Sequence, residues 1–450
     1  MRTSLRTVVA MCCLSNVGLG YAQDVEDLKI EGAEQLINPT ASEPQGCKRY
    51  MRYSPRTDSV ARDADPCQTL FPSLGGLRDV LADHGMGFVG NINPSYAYDV
   101  LGHNAKEQLY NGQNPTYRLG FNFKLTYDLT RVGFGGDAQF IAGFTYSGGS
   151  YRSGTPSFDT TMQTFAINQR FFDKRLTLQY GYYTLIREYY GMVLGGNANS
   201  AARGPNSVIP ATLGLTLFSP SPAFTVNIKD KSLRWYNQTS IARSGSPNRF
   251  QYDLDENPTG FDIKVKGSNP LIVDEFGYKR AAGDNGQRAL WVRGGVIYNT
   301  SHYQDFKNGG YSDDNYGGYL AYTQQLSQPE GSGRRGLYVD AKLNYAPPDR
   351  NQYTGDVQMT AFYIGPFDSR PRDMAAVGLS RSFYSRYARE QRQARGQETE
   401  HMATGVSLSY AARLARGIYW VNALTYQQGP TFAPISDDAL IYQSSFNFSF

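Results

Sequence analysis

Along several stretches, charged and amide side chains recur at every second residue. Arg118, Asn122 and Lys124 share one parity, as do Asn168 and Arg170, and as do Asp340, Lys342 and Asn344. Trp291 and Arg293 alternate with Leu290, Val292 and Val296. A separate run, Arg187-Glu188-Tyr189-Tyr190, sets both charge signs beside two phenols. Such residues offer paired donors and acceptors for hydroxyl groups, with flat aromatic faces nearby. The chemistry is non-covalent holding of a polar solute, not bond making. The same residues would equally serve to solvate a wide aqueous lumen. Asp340 and Lys342 share a strand face, so the charge there is partly balanced.

Nothing in the chain argues for catalysis. His84, His103, His302 and His401 are scattered, and His401 sits among Glu398 and Glu400 at a polar strand start. There is no phosphate-binding loop and no spacing that would ligate a metal, so no cofactor is expected. A formal charge of +4, two units of which belong to Arg2 and Arg6 in the leader, does not suggest a nucleic-acid partner.

The elements that position these residues are strands. Leu440 to Phe450 reads L-I-Y-Q-S-S-F-N-F-S-F. Leu440, Tyr442, Phe446, Phe448 and Phe450 share one parity, while Gln443, Ser445, Asn447 and Ser449 share the other. Alternation of period two makes one apolar and one polar face, which suits a wall with lipid on one side and water on the other. The aromatic ending resembles the C-terminal strand of bacterial outer-membrane barrels, through which their assembly machinery is engaged. Tyr117, Leu119, Phe121, Phe123, Leu125, Tyr127 and Leu129 repeat the pattern. Similar segments follow to the end of the chain, about sixteen in all, joined alternately by short turns and long loops. The expected fold is all-β: a transmembrane antiparallel β-barrel of about sixteen strands, wide enough for an aqueous channel, preceded by a short helix. Leu74, Leu77, Val80 and Leu81 set that helix, with Ser73 as its cap and Gly85 as its stop. In Leu271–Tyr278 either register turns a carboxylate, Asp274 or Glu275, outward. A mean hydropathy of -0.48 and the lack of a long apolar run exclude helical spans, while 34 Tyr, 24 Phe and 47 Gly fit a barrel. A soluble β-sandwich would bury Val and Ile rather than present so many strand aromatics.

Residues 1–22 read as a signal peptide, with Arg2 and Arg6, an apolar centre Val8–Leu14 and cleavage after Ala22. Residues 23–73 are expected to form a periplasmic N-terminal segment, and 74–450 the barrel. Leu185–Pro222 is a long insertion, rich in Gly, Ala, Asn, Ser and Pro, that either covers the mouth or folds inward.

Several stretches resemble the OprB-like family of carbohydrate-selective outer-membrane porins. Gly76–Gly85 is similar to that family's helix before the first strand, and Asn122–Gly133 to its second strand and turn. Glu275-Phe-Gly-Tyr278 with Val292–Tyr298 resembles its central hairpin; Ala346–Asn351 and Arg370–Asp373 resemble a later loop and turn. The resemblance runs from about Leu74 to Phe450. It implies a sixteen-stranded barrel in the outer membrane and passive diffusion of mono- and oligosaccharides. Partners are then sugars, outer-membrane lipids and the assembly machinery, and an oligomer is compatible with this reading. Tentative lining residues are Arg118, Lys124, Arg170, Arg187, Glu188, Trp291, Arg293, Asp340, Lys342 and Asn344, with the narrow zone near Arg293. A structural or secretory barrel, serving polysaccharide export or adhesion, is the alternative.

Removing the leader leaves Cys47 and Cys67, and one cysteine pair in an exported chain predicts a disulfide. Chain-entropy arithmetic for a loop of about twenty residues gives about 3 kcal/mol of stabilisation. Mass mapping of unreduced peptides should find Cys47 and Cys67 joined; two alkylatable thiols in protein taken from the membrane would reject the pairing.

Overall fold

The computed structural model describes residues 46–57, 63, 65–151, 159–190, 207–216, 219–247, 250–329 and 331–450. The expected leader and cleavage site and the middle of the long insertion lie outside these residues. The strands are β1 (Met86–Asp99), β2 (Thr116–Asp128), β3 (Asp137–Gly149), β4 (Asp159–Phe171), β5 (Leu176–Tyr183), β6 (Ser221–Lys229), β7 (Trp235–Arg243), β8 (Pro270–Arg280) and β9 (Leu290–Asn299). Two short strands, β10 (Tyr303–Gln304) and β11 (Tyr311–Ser312), make a separate ribbon. The series continues with β12 (Asn315–Gln325), β13 (Gly336–Tyr345), β14 (Tyr353–Ile364), β15 (Met374–Tyr384), β16 (Met402–Ala415), β17 (Ile418–Gln428) and β18 (Ala439–Ser449).

Among the described residues sixteen strands close into one antiparallel barrel, each paired with its sequence neighbours, and β1 pairs with β18 to shut the ring. Ile92 stands opposite Phe448 and Tyr98 opposite Tyr442 in that seam. Gly90 and Phe450 exchange backbone hydrogen bonds of 2.7 and 2.8 Å. Every expected strand segment overlaps one of the sixteen. No described helix is long and apolar enough to cross a membrane; the crossing is made by strands.

Contacts decide which parity faces inward. Thr126 on β2 and Gln139 on β3 donate to the Tyr53 carbonyl, and Gln238, Ser240, Arg293, Asn299 and Asn344 bond to segments folded within the ring. The opposite parity carries exposed Phe276, Val292, Val296, Leu320, Leu343, Leu379, Leu408 and Leu424. This outer surface is an aromatic and aliphatic band. Phe123 on β2 stacks with Phe144 on β3 at 5.6 Å between centroids, a cross-strand pair of the kind that stabilises a sheet face.

On β8 the structure resolves the ambiguous register. Leu271, Val273 and Glu275 point in; Ile272, Asp274 and Phe276 point out. Asp274 takes hydrogen bonds from Asn237 Nδ2 at 3.0 Å and Thr239 Oγ1 at 2.5 Å, both on the outer parity of β7. Periodicity carries no sign of this compensation, because Asn237 and Thr239 lie 35 or more residues away in the chain.

Several boundaries differ from expectation, and two of the differences have a visible cause. The first helix begins at Leu77, not Leu74, because Gly75 and Gly76 take positive φ values of 67° and 94°. Ser73 makes no side-chain cap, whereas Gly85, at φ 76°, follows the helix end as expected. The sequence pattern predicts a strand over Met374–Tyr387, but β15 stops at Tyr384 because Ser385 caps the helix Arg386–Gln393 by accepting from the Ala388 amide.

The N-terminal segment packs into the short-turn end of the barrel. Cys47 and Cys67 are bonded, with Cα atoms 5.4 Å apart, and cluster with Tyr50, Tyr53 and Ala82. Arg78 of the helix Leu77–Asp83 donates to the carbonyls of Pro72 at 2.7 Å and Phe88 at 3.2 Å. Burial lowers its pKa to about 10, so it remains cationic at neutral pH.

The inside-outside assignment is testable at two adjacent residues. Phe123→Arg should destabilise the barrel by about 2–4 kcal/mol, the depth-dependent cost of a cation on the lipid face. Asn122→Arg, turned into the lumen, should leave denaturant midpoints nearly unchanged and alter conductance instead. The reverse outcome would mean that the faces are inverted.

Candidate pore constriction

The insertion between β5 and β6 folds inward. Its described parts, Leu185–Tyr190 and 207–216, form with inward residues of the wall the largest apolar cluster, which includes Leu185, Ile186, Ile209, Leu213, Leu215, Leu271, Val273 and Ile297. The inner wall is therefore not uniformly polar: β8 and β9 are apolar inside where the insertion lies, which is why β8 lacked clean alternation. Gly317 on β12 permits the approach, since a Cβ there would stand 2.5 Å from Leu213 Cδ1.

Polar ties then fix the insertion. Gln238 Nε2 donates to the Glu188 carbonyl at 3.0 Å, Tyr189 Oη to Ser240 Oγ at 2.6 Å, and Asn299 Nδ2 to the Leu213 carbonyl at 2.8 Å. Asn344 Nδ2 donates to Tyr190 Oη at 2.8 Å and to Asp356 Oδ1 at 2.7 Å. Tyr190 packs edge-on against Tyr319, with centroids 5.1 Å apart. Burial raises the pKa of both Tyr189 and Tyr190, so each phenol stays neutral.

At the centre of these contacts is Glu275. Tyr236 Oη donates to its Oε1 at 2.7 Å, Tyr319 Oη donates to its Oε2, and Arg293 Nη1 lies 3.5 Å from Oε2. The same Arg293 nitrogen donates to the Tyr189 carbonyl at 2.5 Å. Trp291 donates through Nε1 to Tyr236 Oη at 2.9 Å, and its ring carries Lys279 Nζ at 4.0 Å and the Arg293 guanidinium at 4.2 Å. Gly295 makes room for the network, because a Cβ there would stand 2.4 Å from the Tyr319 ring.

The expected lining residues thus fall into two groups. Arg187, Glu188, Trp291, Arg293, Asp340, Lys342 and Asn344 gather around the insertion. Arg118, Lys124 and Arg170 stand apart on β2 and β4, each partly exposed on the inner parity. Within the first group, Arg293 is only 2% exposed, and Glu188, Asp340, Lys342 and Asn344 are also buried. Asp340 and Lys342 pair at 3.2 Å, and Thr323 Oγ1 donates to Asp340 at 2.7 Å. The expectation that Arg293 itself meets solute is corrected here: it lies beneath the insertion and holds Tyr189, with Glu275 as its counter-charge. Trp291 likewise has its ring engaged by two cations. Lys124 is partnered by Asp63 at 2.8 Å. Tyr236, Lys279 and Tyr319 were not anticipated. Tyr236 and Tyr319 belong to the inward parity of their strands, but only the fold brings them onto one carboxylate.

Removing Arg293 should loosen the constriction. Arg293→Ala strips the donor from the Tyr189 carbonyl and leaves Glu275 buried without its cation, a cost of about 3–5 kcal/mol. The barrel should still form, as judged by heat-modifiable electrophoretic migration, while single-channel conductance rises and becomes noisier. Unchanged conductance would show that the pair does not hold the insertion in place.

Among curated protein sequences none matches this chain. Among solved structures, Pseudomonas putida OprB at high pH superposes with a TM-score of 0.72 at 17% identity, covering 85% of this chain and 98% of that one. Its low-pH structure gives 0.53 at 15% identity, with the same coverage of 85% and 98%. OmpF of Salmonella typhi in complex with daunomycin gives 0.50 at 10% identity, covering 82% and 99%. At such identities these likenesses speak for the barrel fold. The family profile described as carbohydrate-selective porin, OprB family, matches residues 112–419, well over half the chain. With the closed barrel, that match makes the protein an outer-membrane channel: the chain belongs to the OprB family of carbohydrate-selective porins.

Proposed function

We propose that this chain is a passive pore through which mono- and oligosaccharides diffuse into the periplasm, without cofactor or bond chemistry. The carrying observation is the inward-folded insertion. A sixteen-stranded ring left empty encloses a broad aqueous channel. Here the insertion lies against the inner wall of β7 to β14 and narrows it, leaving a lining of amides, hydroxyls and charges. Such a lining exchanges hydrogen bonds with sugar hydroxyls one for one, so a sugar enters without net loss and leaves without a deep trap.

In this reading solute passes between the insertion and the wall opposite, where Arg118, Lys124 and Arg170 stand. Inward Thr323, Gln358 and Thr360, all partly exposed, contribute further hydroxyl and amide groups. Arg187 of the insertion belongs to the same lining. Arg293, Glu275 and Trp291 shape the narrow zone from behind instead of touching solute. The short-turn end, where the described residues of 46–73 pack, faces the periplasm, and the long-loop end faces outward, as in barrels with short periplasmic turns. β18, with its outward Phe446 and Phe448, engages the assembly machinery and then closes on β1. Oligomeric association in the membrane is consistent with this arrangement.

Liposomes carrying the purified protein should swell in isosmotic mono- and disaccharides, with rates falling as the sugar lengthens. Planar bilayers should show ion current that added sugar reduces. Swelling no faster than in protein-free liposomes would overturn the sugar reading, even if ions pass.

A further inference from the structure

The lipid-facing band has two rims, and they carry different charge. Seven short turns close one rim, at 129–136, 172–175, 230–234, 281–289, 326–335, 365–373 and 416–417. Every one holds a Lys or Arg, and together they hold eleven such residues against six Asp and Glu. The eight long connections at the other rim hold thirteen against fifteen. In the short turns Arg335 and Arg370 pair with Asp368 and Asp373. Arg131 and Arg175 donate instead to the carbonyls of Asp83 and Phe172, at 2.8 and 3.0 Å. Asp230 is occupied within its own turn, accepting from the Arg234 and Trp235 amides at 2.9 and 3.1 Å. Among the described residues, exposed Lys174, Lys231, Arg234 and Arg288 stand in no ion pair.

The same turns expose large apolar side chains. Phe134 shares a turn with Arg131, Phe172 with Lys174, Leu233 with Arg234, and Phe367 with Arg370. Phe172 and Leu233 take positive φ values of 53° and 58°, a region that Gly enters freely and bulky side chains avoid. Both turns thus keep a large side chain outward where the backbone favours none. Next to Arg234, outward Trp235 stacks on Phe276 at 5.5 Å between centroids and packs on Tyr278 at 4.8 Å. Such outward aromatics mark the depth of a membrane–water interface, so the turns lie at the level of lipid headgroups.

From the charge of this rim and the apolar residues beside it we infer that the short turns seat anionic phospholipid headgroups of the leaflet they face. Phe172, Leu233 and Phe367 enter the edge of the acyl region, and Lys174, Lys231, Arg234 and Arg288 donate to the headgroup phosphates beside it. Each turn is a small amphipathic anchor, with the apolar part in hydrocarbon and the cation in the headgroup layer. The distribution favours lipid over an acidic protein. A protein docks on one face and would call for one patch, whereas these cations come one or two to a turn in all seven turns, as lipid surrounds a barrel. The inference goes beyond solute passage. From the reading above it takes only the orientation, with short turns toward the periplasm.

The test uses the full mature chain in phosphatidylcholine bilayers doped with a spin-labelled lipid, and reads the motionally restricted lipid at the protein surface. Spin-labelled phosphatidylglycerol should be enriched about fivefold over spin-labelled phosphatidylcholine, the factor that headgroup attraction to one cation gives, and high salt should reduce the enrichment. Lys174→Gln, Lys231→Gln, Arg234→Gln and Arg288→Gln together should bring phosphatidylglycerol close to phosphatidylcholine. Lys106→Gln, Lys264→Gln, Lys266→Gln and Arg386→Gln, which remove as many exposed cations from the long connections, should leave the preference in place. No preference in the wild type would overturn the inference, as would a preference that survives the short-turn variant or is lost in the long-connection one. If the short-turn variant does not fold, as judged by heat-modifiable migration, the wild type decides: an enrichment indifferent to salt would overturn it. Both leaflets of these bilayers are alike, so the lipid result does not depend on orientation, and no solute is involved. Orientation is read separately: Lys174→Cys should escape a bulky impermeant maleimide on intact cells, and labelling there would overturn the periplasmic placement while the headgroup preference stands.

Discussion

In hydrocarbon no water is available to an unpaired peptide group, and each one left bare costs several kcal/mol. A sheet that crosses the membrane must therefore have no edge. That constraint is met by one seam, β1 against β18, where Gly90 and Phe450 bond to each other and Leu440 bonds back to Val100 and Asp99. Once the ring is closed, side-chain parity has only two destinations. The outer parity becomes a lipid-facing band of Phe, Tyr, Leu and Val, and the inner parity is free to be polar.

A closed ring of sixteen strands leaves more space than a selective channel can use. Two pieces of chain that are not strands occupy it. The insertion brings its own apolar residues and is accepted by a locally apolar wall, so part of the hydrophobic core lies inside the barrel. Its polar backbone atoms then need partners, and inward Gln238, Arg293 and Asn299 supply them. The buried Glu275–Arg293 pair is an expensive way to hold one loop, with Arg293 Nε and Nη2 finding no acceptor among the described residues. Its return is positional: two phenols, an indole and a backbone carbonyl are all fixed relative to one carboxylate.

The barrel was readable from sequence because a strand facing lipid on one side and water on the other writes its period into every second residue. All the segments but β8 carried that mark cleanly, even where a boundary slipped, as at Ser385. The site was less readable. Parity told that Arg293 and Trp291 point inward, but it could not tell what lies inside the wall in front of them. A residue beneath a folded-in loop and one open to solute have the same periodicity. β8 showed the difficulty directly, since its inward Leu271 and Val273 answer to the insertion and not to water, and its outward Asp274 answers to Asn237 and Thr239 on the next strand. Such pairings join residues far apart in the chain and leave no local signal.

The closing seam also sets the order in which the molecule can form. Asp99 and Leu440, which bond across it, are separated by 341 residues, and Gln68 and Arg413 by 345. Every other strand pair joins sequence neighbours and can zip locally, but the seam must wait until β18 is available. Contacts at that separation are slow to find unaided, since the entropy of closing the loop is lost before any bond is gained. Until then β1 keeps an open edge, and the N-terminal segment has only its foothold on β1 to β3. The far foothold, at Arg413 and Ser449, arrives with the final strands, so the ring and its mouth are completed in the same late step.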